Sequence, residues 1–360
     1  MIIEDRPIRV GVLGAARIAP RAVFEPARTR DDVVIAAVAA RDPVRGRAYA
    51  VQHGIGSVDK DYAALVARDD LDLIYVALPP AGHAEWTIRA LETGKAVLCE
   101  KPFARDAVEA RAMVDAARRK GGPLIEAFHY RFHPVIRHAE ALLSDGVLGR
   151  LIHGEARLDY PIPQIPGELR WNSEQGGGAL MDLGCYPLHL LRTLLRGEPT
   201  VTAAFALDAD GVDATIEADL NFPNGLTGHI GASMTVEKPS AYAVITGDRG
   251  RLTISNFIAP QGGCSFVLEV DGKIQPLPTS GPSTYQAQLD HVVGVLRGTI
   301  ADPLTGGSDA IANMVAIDAI VATARATQGP RASAGRSDLL AGAVPSCAAS
   351  VLRGSENRQE

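Results

Sequence analysis

The chain predicts an α/β protein in two parts, a doubly wound parallel sheet followed by a second part built on an antiparallel sheet with helices. Three observations carry this. From Arg9 to Phe128 the apolar runs RVGVL, VVIAAVA, LIYVAL, AVLCE and PLIEAF alternate with helical stretches such as HAEWTIRALETG and AVEARAMVDAARRKG. Runs that are apolar throughout suit parallel strands covered by helices on both faces. Beyond a helical segment near Pro134 to Leu143, the strand candidates lengthen. They are joined by Phe222-Pro223-Asn224-Gly225, Gly247-Asp248-Arg249-Gly250 and Asp271-Gly272-Lys273, and Asn and Gly tolerate the positive φ that hairpin turns need. Finally, 360 residues exceed one ordinary core and suit two.

Residues 1–128 are therefore read as the first domain and 129–330 as the second. In the second, one helix opens at Gly176-Gly177-Gly178 and carries Leu180, Leu183, Leu190, Leu191 and Leu194. Two more, about Ser283 to Leu296 and Ser308 to Ala326, are expected to close it. Residues 331–360 are Ala, Ser, Gly and Arg without sustained periodicity, the composition of a disordered tail.

Composition narrows the function. With 46% hydrophobic and 22% charged residues the chain is ordinary for a soluble globular protein, and its net charge of -6 gives no electrostatic reason to expect nucleic acid. A small-molecule partner is expected. The N-terminus MIIEDRPIRV lacks a basic segment followed by an apolar stretch, and no run approaches bilayer length, so a cytoplasmic location without membrane association is expected. Cys99, Cys185, Cys264 and Cys347 form no C-x-x-C pair, which suggests neither a metal site nor a disulfide framework.

The first strand runs into Gly14-Ala15-Ala16-Arg17-Ile18-Ala19, which follows the G-x-G-x-x-G turn with Ala16 and Ala19 in place of the later glycines. Small residues there let backbone approach a pyrophosphate, whose oxygens take the free N–H groups of the helix start. By itself the fingerprint is equally a tight strand-to-helix turn; its position after the first strand of an alternating half points to a dinucleotide. Ala40-Arg41-Asp42-Pro43 ends the second strand, where an NAD-selective site offers a carboxylate to the ribose. A guanidinium at Arg41 suits a 2′-phosphate, which favours NADP with NAD possible. The competing reading keeps Arg41 as a solvated charge and Asp42 as the cap of the helix begun by Pro43. Leu78-Pro79-Pro80 forms a rigid loop at the same sheet edge. His83 follows it, where a structural role competes with contact to a cofactor.

Glu100-Lys101-Pro102 ends the fourth strand at this edge, and GGGALMDLGCYPLH spans Gly176 to His189. Asp182 and Tyr186 are four apart and share one helix face, with His189 three further on. Tyrosine, with a pKa of about 10, is a poor base at neutral pH; a nearby ammonium and a positive nicotinamide would favour its phenolate. On composition alone, the segment is equally a glycine-rich loop leading into a buried helix.

These motifs resemble the Gfo/Idh/MocA oxidoreductase family over roughly Arg9 to Ala326, the E-K-P triplet and the G-G-G-x-x-x-D-x-G segment being the most specific. The resemblance implies a Rossmann domain followed by an α/β domain with a large, mostly antiparallel sheet. The open face of that sheet commonly makes the oligomer interface, so a homo-oligomer, dimer or tetramer, is implied. It also implies that Lys101 lies in the cleft and that Asp182 and the residue four later line the substrate site. Tyr186 and His189 depart from the inositol dehydrogenase pattern of His and Asp. They resemble the tyrosine branch with glucose-fructose oxidoreductase, dimeric dihydrodiol dehydrogenase and NADP-dependent xylose dehydrogenase, as do Gly14 to Ala19 and the stretch Phe128 to Pro134.

The expected activity is thus NAD(P)-dependent hydride transfer on a secondary alcohol or carbonyl of a sugar or cyclic diol, NADP favoured. Lys101, Tyr186 and Asp182 are the expected catalytic residues. Gly14, Ala15, Ala16, Arg17, Ile18, Ala40, Arg41, Leu78, Pro79, His83, Glu100 and Lys101 are the expected cofactor contacts. Arg131, Arg170, Trp171, Asp182 and His189 are the expected substrate contacts. The alternatives are a non-catalytic dinucleotide-binding sensor of the same fold and a reductase of a nucleotide-linked keto-sugar.

Overall fold

The computed structural model describes residue 3 and residues 6–328; Cys347 and the segment 331–360 lie outside the described residues. The first sheet comprises β1 (Ile8–Leu13), β2 (Val33–Ala39), β3 (Val58–Asp59), β4 (Leu73–Val76), β5 (Ala96–Cys99) and β6 (Leu124–Glu126), all parallel, in the order β3-β2-β1-β4-β5-β6. Every residue of β4 and β5 is buried, as their unbroken apolar runs require of strands covered on both faces. The order reverses at β1 and β4, which opens a crevice at their carboxyl ends. β3 has two residues, too few to leave a period in the sequence.

The connecting helices are α1 (Glu25–Arg28), α2 (Pro43–His53), α3 (Tyr62–Val66), α4 (His83–Glu92) and α5 (Ala107–Lys120). Asp42 caps α2 by accepting from Val44 N, and Asp106 caps α5 by accepting from Glu109 N; both helices end on a left-handed glycine, Gly54 or Gly121.

After α6 (Pro134–Ser144) comes β7 (Leu151–Asp159), then α7 (Cys185–Leu195) and the strands β8 (Thr200–Ala209), β9 (Val212–Asn221), β10 (Thr227–Ser233), β11 (Ser240–Gly247), β12 (Gly250–Ser255), β13 (Phe266–Val270) and β14 (Lys273–Pro276). They form an eight-stranded sheet in the order β14-β13-β12-β11-β7-β10-β9-β8, antiparallel except for the β7–β10 pair. The predicted hairpin turns all occur. Asp271-Gly272 takes positive φ at both residues, the two-residue geometry whose twist matches the strands, and so does Asp210-Gly211.

One face of this sheet is apolar and covered by α7. In β9, Val212, Ala214, Ile216, Ala218 and Leu220 are buried on that side. The other face is polar: Arg157 joins Asp159 and Glu217, His229 bridges Glu217 and Asp219, and Tyr242 donates to Glu155.

The last two helices differ from expectation. The helix α8 (Thr284–Leu296) packs on the first sheet, where Leu289, Val292, Val293 and Leu296 share a core with Ile8, Val10, Val12 and Phe24. The sequence reading had it closing the second domain; its Leu and Val side chains instead complete the core of the first. The helix α9 (Gly307–Gln328) packs on β8 and also touches α5, whose first turn it ties down through Asp318 Oδ2 accepting from Ala107 N at 3.0 Å. By length and composition its stretch Gly307–Thr327 is apolar enough to cross a bilayer, contrary to the sequence reading. Here Ala310, Met314, Ile317 and Ile320 are buried against the protein instead.

Hydrogen bonds from His229 to Glu217 and Asp219 outweigh burial and lift its pKa to about 9. The folded state therefore keeps a proton that the unfolded chain releases near pH 6.5, so this stabilisation is complete below that pH and lost as the pH rises through 9. Denaturant midpoints measured across this window should fall less steeply in His229→Gln than in the native chain.

Candidate active site

Gly14 closes β1 with φ +102°, and a Cβ there would lie 2.5 Å from Ala77 O at the end of β4. Only glycine fits this close approach of the two strands. Ala15, Ala16 and Ala19 continue the turn, whose carbonyls are held from outside: Arg45 Nη2 donates to Ala15 O and Tyr49 Oη to Ala16 O, both at 2.8 Å. The helix that follows starts as a π-turn, Pro20–Phe24. Ala40 is buried, while Arg41 is exposed at the strand end, one turn from Arg45. This small-residue cradle, with two guanidiniums beside it, fits the phosphates of a dinucleotide.

Two loops at the same edge meet at His83. Its buried ring lies between Leu78 O, 2.8 Å from Nε2, and Pro102 O, 2.9 Å from Nδ1, and donates to one of them in its neutral form, so it packs the loop of Leu78 and Pro79 against the segment carrying Lys101. The Lys101–Pro102 peptide is cis. Glu100 accepts from Tyr75 Oη at 2.5 Å beneath the cleft. Burial raises the pKa of its carboxyl, while Tyr75 and Lys101 pull it back.

Lys101 Nζ crosses to the second half. It donates to Asp182 Oδ1 at 2.7 Å and to Asp182 O at 2.8 Å, and lies 5.1 Å from the centre of the Tyr186 ring. Burial works against its charge, but Asp182, Cys185 and Glu100 together outweigh burial and lift its pKa. Asp182 stands in a π-turn, Leu180–Gly184, which runs into α7. The expected helix is present, but its first turn is wider than an α-turn. That turn is anchored by Asp213 Oδ2, which accepts from Leu180 N at 2.6 Å.

Tyr186 is 7% exposed, edge-on to Phe128 and Tyr130, with its oxygen 3.4 Å from His129 Nε2. Burial pushes the pKa of its phenol well above the usual range. The neighbouring thiol of Cys185 is buried and raised in the same way.

The predicted substrate contacts divide. Arg170 lies at the cleft, 3.8 Å from Asp182 Oδ2. It also grips Glu168 with two nitrogens, and Arg17 reaches the same carboxylate at 3.0 Å, joining the nucleotide turn to the second half. Trp171 packs beside it, its indole N–H donating to Ile162 O. Arg131 turns away: it is buried and forked onto Glu140 at 2.6 and 2.7 Å. His189 is fully buried, stacked on Phe128, between Tyr130 Oη at 2.5 Å and Asp309 Oδ2 at 2.9 Å. Arg131 is drawn into the interior by Glu140, nine residues on, and His189, which spacing put near the site, by Asp309, 120 residues on. Conversely, His129, Tyr285, Arg45 and Glu168 reach the cleft or its margin without having been singled out. Of these, only Arg45 carried a local signal, a cation in the first turn after the cap Asp42.

The fold and this cleft define a dinucleotide-dependent oxidoreductase. Residues 8–128 match the model for the oxidoreductase family with an NAD-binding Rossmann fold, and residues 136–253 match the GFO/IDH/MocA C-terminal domain. The chain is 35% identical over 274 residues to dTDP-3,4-didehydro-2,6-dideoxy-alpha-D-glucose 3-reductase of Saccharopolyspora spinosa, covering 74% of this chain and 80% of that protein. It is 31% identical over 317 residues to D-xylose 1-dehydrogenase (NADP(+)) 2 of Haloferax volcanii, covering 87% and 96%. Among solved structures, aldose-aldose oxidoreductase from Caulobacter crescentus matches with a TM-score of 0.82 at 27% identity, over 89% of this chain and 98% of that one. A 3-ketoreductase from Actinomadura kijaniata, in complex with NADP and TDP-benzene, matches with a TM-score of 0.81 at 27% identity and the same coverage. The chain belongs to the Gfo/Idh/MocA oxidoreductase family.

Gly14→Ala puts a Cβ into the Ala77 carbonyl at a φ that L-residues rarely adopt. Its dinucleotide affinity by calorimetry should fall by at least tenfold.

Proposed function

We propose that the protein is an NADP-dependent oxidoreductase that interconverts a secondary alcohol of a sugar or cyclic diol with the matching carbonyl. The observation that carries this reading is the meeting of Lys101, Asp182 and Tyr186 beside the nucleotide turn. When bound, the nicotinamide supplies the hydride acceptor or donor. Gly14, Ala15, Ala16, Arg17, Ile18 and Ala40 would hold the dinucleotide, with Leu78, Pro79 and the Glu100-Lys101 segment beneath it and Arg41 on the 2′-phosphate. Arg45 adds a second cation there.

Tyr186 is the acid/base. As a phenol it delivers a proton to the carbonyl oxygen in reduction; as a phenolate it takes the hydroxyl proton in oxidation. Lys101 has three N–H donors and spends two on Asp182, leaving the third for the reacting oxygen. Asp182 holds that ammonium in place, while Arg170 and Trp171 border the space for a polyhydroxylated ring. His83 acts by packing loops together, and Arg131 and His189 have their polar atoms committed elsewhere.

A second reading, reduction of a keto group on a nucleotide-linked sugar, is favoured by the dTDP-linked substrate in the name of the Saccharopolyspora relative. Phe205 and Leu207, 53% and 54% exposed beside Glu217 and Thr215 on the polar sheet face, support a homo-oligomer joined there. A cytoplasmic enzyme with neither nucleic acid nor membrane as partner completes the proposal.

Purified protein screened with both nucleotides against aldoses, keto-sugars, inositols, cyclic diols and dTDP-linked keto-sugars separates the two readings. Tyr186→Phe should lose turnover by roughly 10²- to 10⁴-fold with nucleotide affinity unchanged; retained turnover would move the acid/base role elsewhere. Arg41→Ala should lower the preference for NADP over NAD by about 10- to 100-fold, the range of one charge-assisted hydrogen bond.

A further inference from the structure

His129 is buried against Tyr186 and has no part in the chemistry described so far. Its ring meets that of Tyr186 edge-on at 5.9 Å and lies against Tyr285 at 4.2 Å. Nε2 is 3.4 Å from Tyr186 Oη and Nδ1 is 2.8 Å from Thr284 Oγ1. The first distance is at the long end for a hydrogen bond, as is common between catalytic groups before substrate arrives. A neutral imidazole has one donor and one acceptor nitrogen, and the partners decide which is which.

Thr284 decides it here. Its side chain is fully buried in the first turn of α8, and His129 Nδ1 is its hydrogen-bond partner among the described residues. If Nδ1 carried the proton, the buried Thr284 hydroxyl hydrogen would have no acceptor. A buried donor without an acceptor costs about 1–3 kcal/mol. Thr284 therefore donates to Nδ1, and the imidazole proton sits on Nε2, directed at Tyr186 Oη.

We infer that His129 is a positioning residue: it donates its Nε2 proton to the Tyr186 oxygen, and Thr284 fixes the tautomer that makes this possible. Two effects follow. The lone pair facing His129 is occupied, so the phenolic proton of Tyr186 is turned away from His129. The donated hydrogen bond also stabilises the phenolate, the conjugate base in either direction of reaction. No proton leaves His129; the proton exchanged with substrate is that of Tyr186. Burial, with the charges of Lys101 and Arg21, holds the pKa of His129 to about 3, so the ring stays neutral in ordinary buffers. The other titratable groups facing Tyr186 are Lys101, Asp182, Cys185, Glu100 and Tyr285, together with Tyr130, whose hydroxyl is engaged by His189.

The tautomer is inferred from hydrogen bonding alone, whereas the effect on turnover rests on Tyr186 being the acid/base. The test therefore has two arms. In the first, long-range ¹H–¹⁵N spectra of histidine-labelled enzyme with NADP bound, assigned by the loss of one ring in His129→Phe, should show His129 protonated on Nε2. In Thr284→Val the preference should shift toward Nδ1. A native His129 protonated on Nδ1, or on both nitrogens, overturns the proposal. In the second, His129→Phe should move the acid limb of the alcohol-oxidation profile to higher pH by roughly one to two units. Thr284→Val should move it the same way by less, and His129→Gln, which keeps a donor, should restore part of the shift. An unmoved or lowered limb overturns the proposal even where kcat falls, since lost packing alone lowers kcat without moving the profile. If Tyr186→Phe keeps its turnover, it is the acid/base assignment that has failed, and the first arm still reads the tautomer.

Discussion

A cation at the end of one sheet is neutralised by a carboxylate from the other, and the cleft is organised around that pair. The side chains of Lys101 and Asp182 are 15% and 21% exposed, and their ends are 2.7 Å apart. Removing one partner of so enclosed a pair leaves the other charge stranded, at a cost of about 3–5 kcal/mol. The pair also brings the Lys101 ammonium beside the proposed acid/base, 5.1 Å from the centre of the Tyr186 ring. Its protonation is maintained against burial by Asp182, Cys185 and Glu100, and the phenol beside it is kept neutral by the same burial. One enclosed space thus holds two neighbouring groups in their protonated forms.

The supporting structure serves the placement of these few atoms. His83 packs the Lys101 segment against the loop after β4. Asp213 holds the π-turn that carries Asp182. Further out, Glu168 stands between Arg17 and Arg170, so the nucleotide turn and the cleft share one carboxylate. Hydrogen bonding to Arg170, with help from Arg17, keeps the pKa of Glu168 at about 2, charged throughout the working range.

The architecture was legible because it rests on local patterns. Unbroken apolar runs marked the buried parallel strands, Asn-Gly and Asp-Gly marked the hairpins, and the E-K-P triplet with the G-G-G-x-x-x-D-x-G segment carried the family resemblance. What was not legible depended on contacts made at long range. His189 looked like a substrate ligand by position, yet Asp309, 120 residues away, claims it. His129 lay inside a stretch used for the resemblance, but its role depends on Thr284, 155 residues further on. The π-turn before Tyr186 could not be inferred either, since a spacing of four suits an α-turn equally well. The sequence reading also gave α8 to the second domain, whereas it covers the first sheet, because a stripe of Leu and Val fits either core.

That return of α8 bears on how the protein is made. The layer covering Ile8, Val10 and Val12 is completed by residues 289–296, from almost the far end of the described chain. An emerging polypeptide can pair β1 with β2 early and cover part of that face with Ala22, Val23 and Phe24, but the layer stays incomplete until nearly three hundred residues have been synthesised. A long wait with exposed Val and Phe side chains invites association with other chains. The first 128 residues, which look from their sequence like a portable nucleotide-binding unit, are therefore a poor choice for excision or transplantation. A better cut would carry α8 along, joined back to β6 by a new linker.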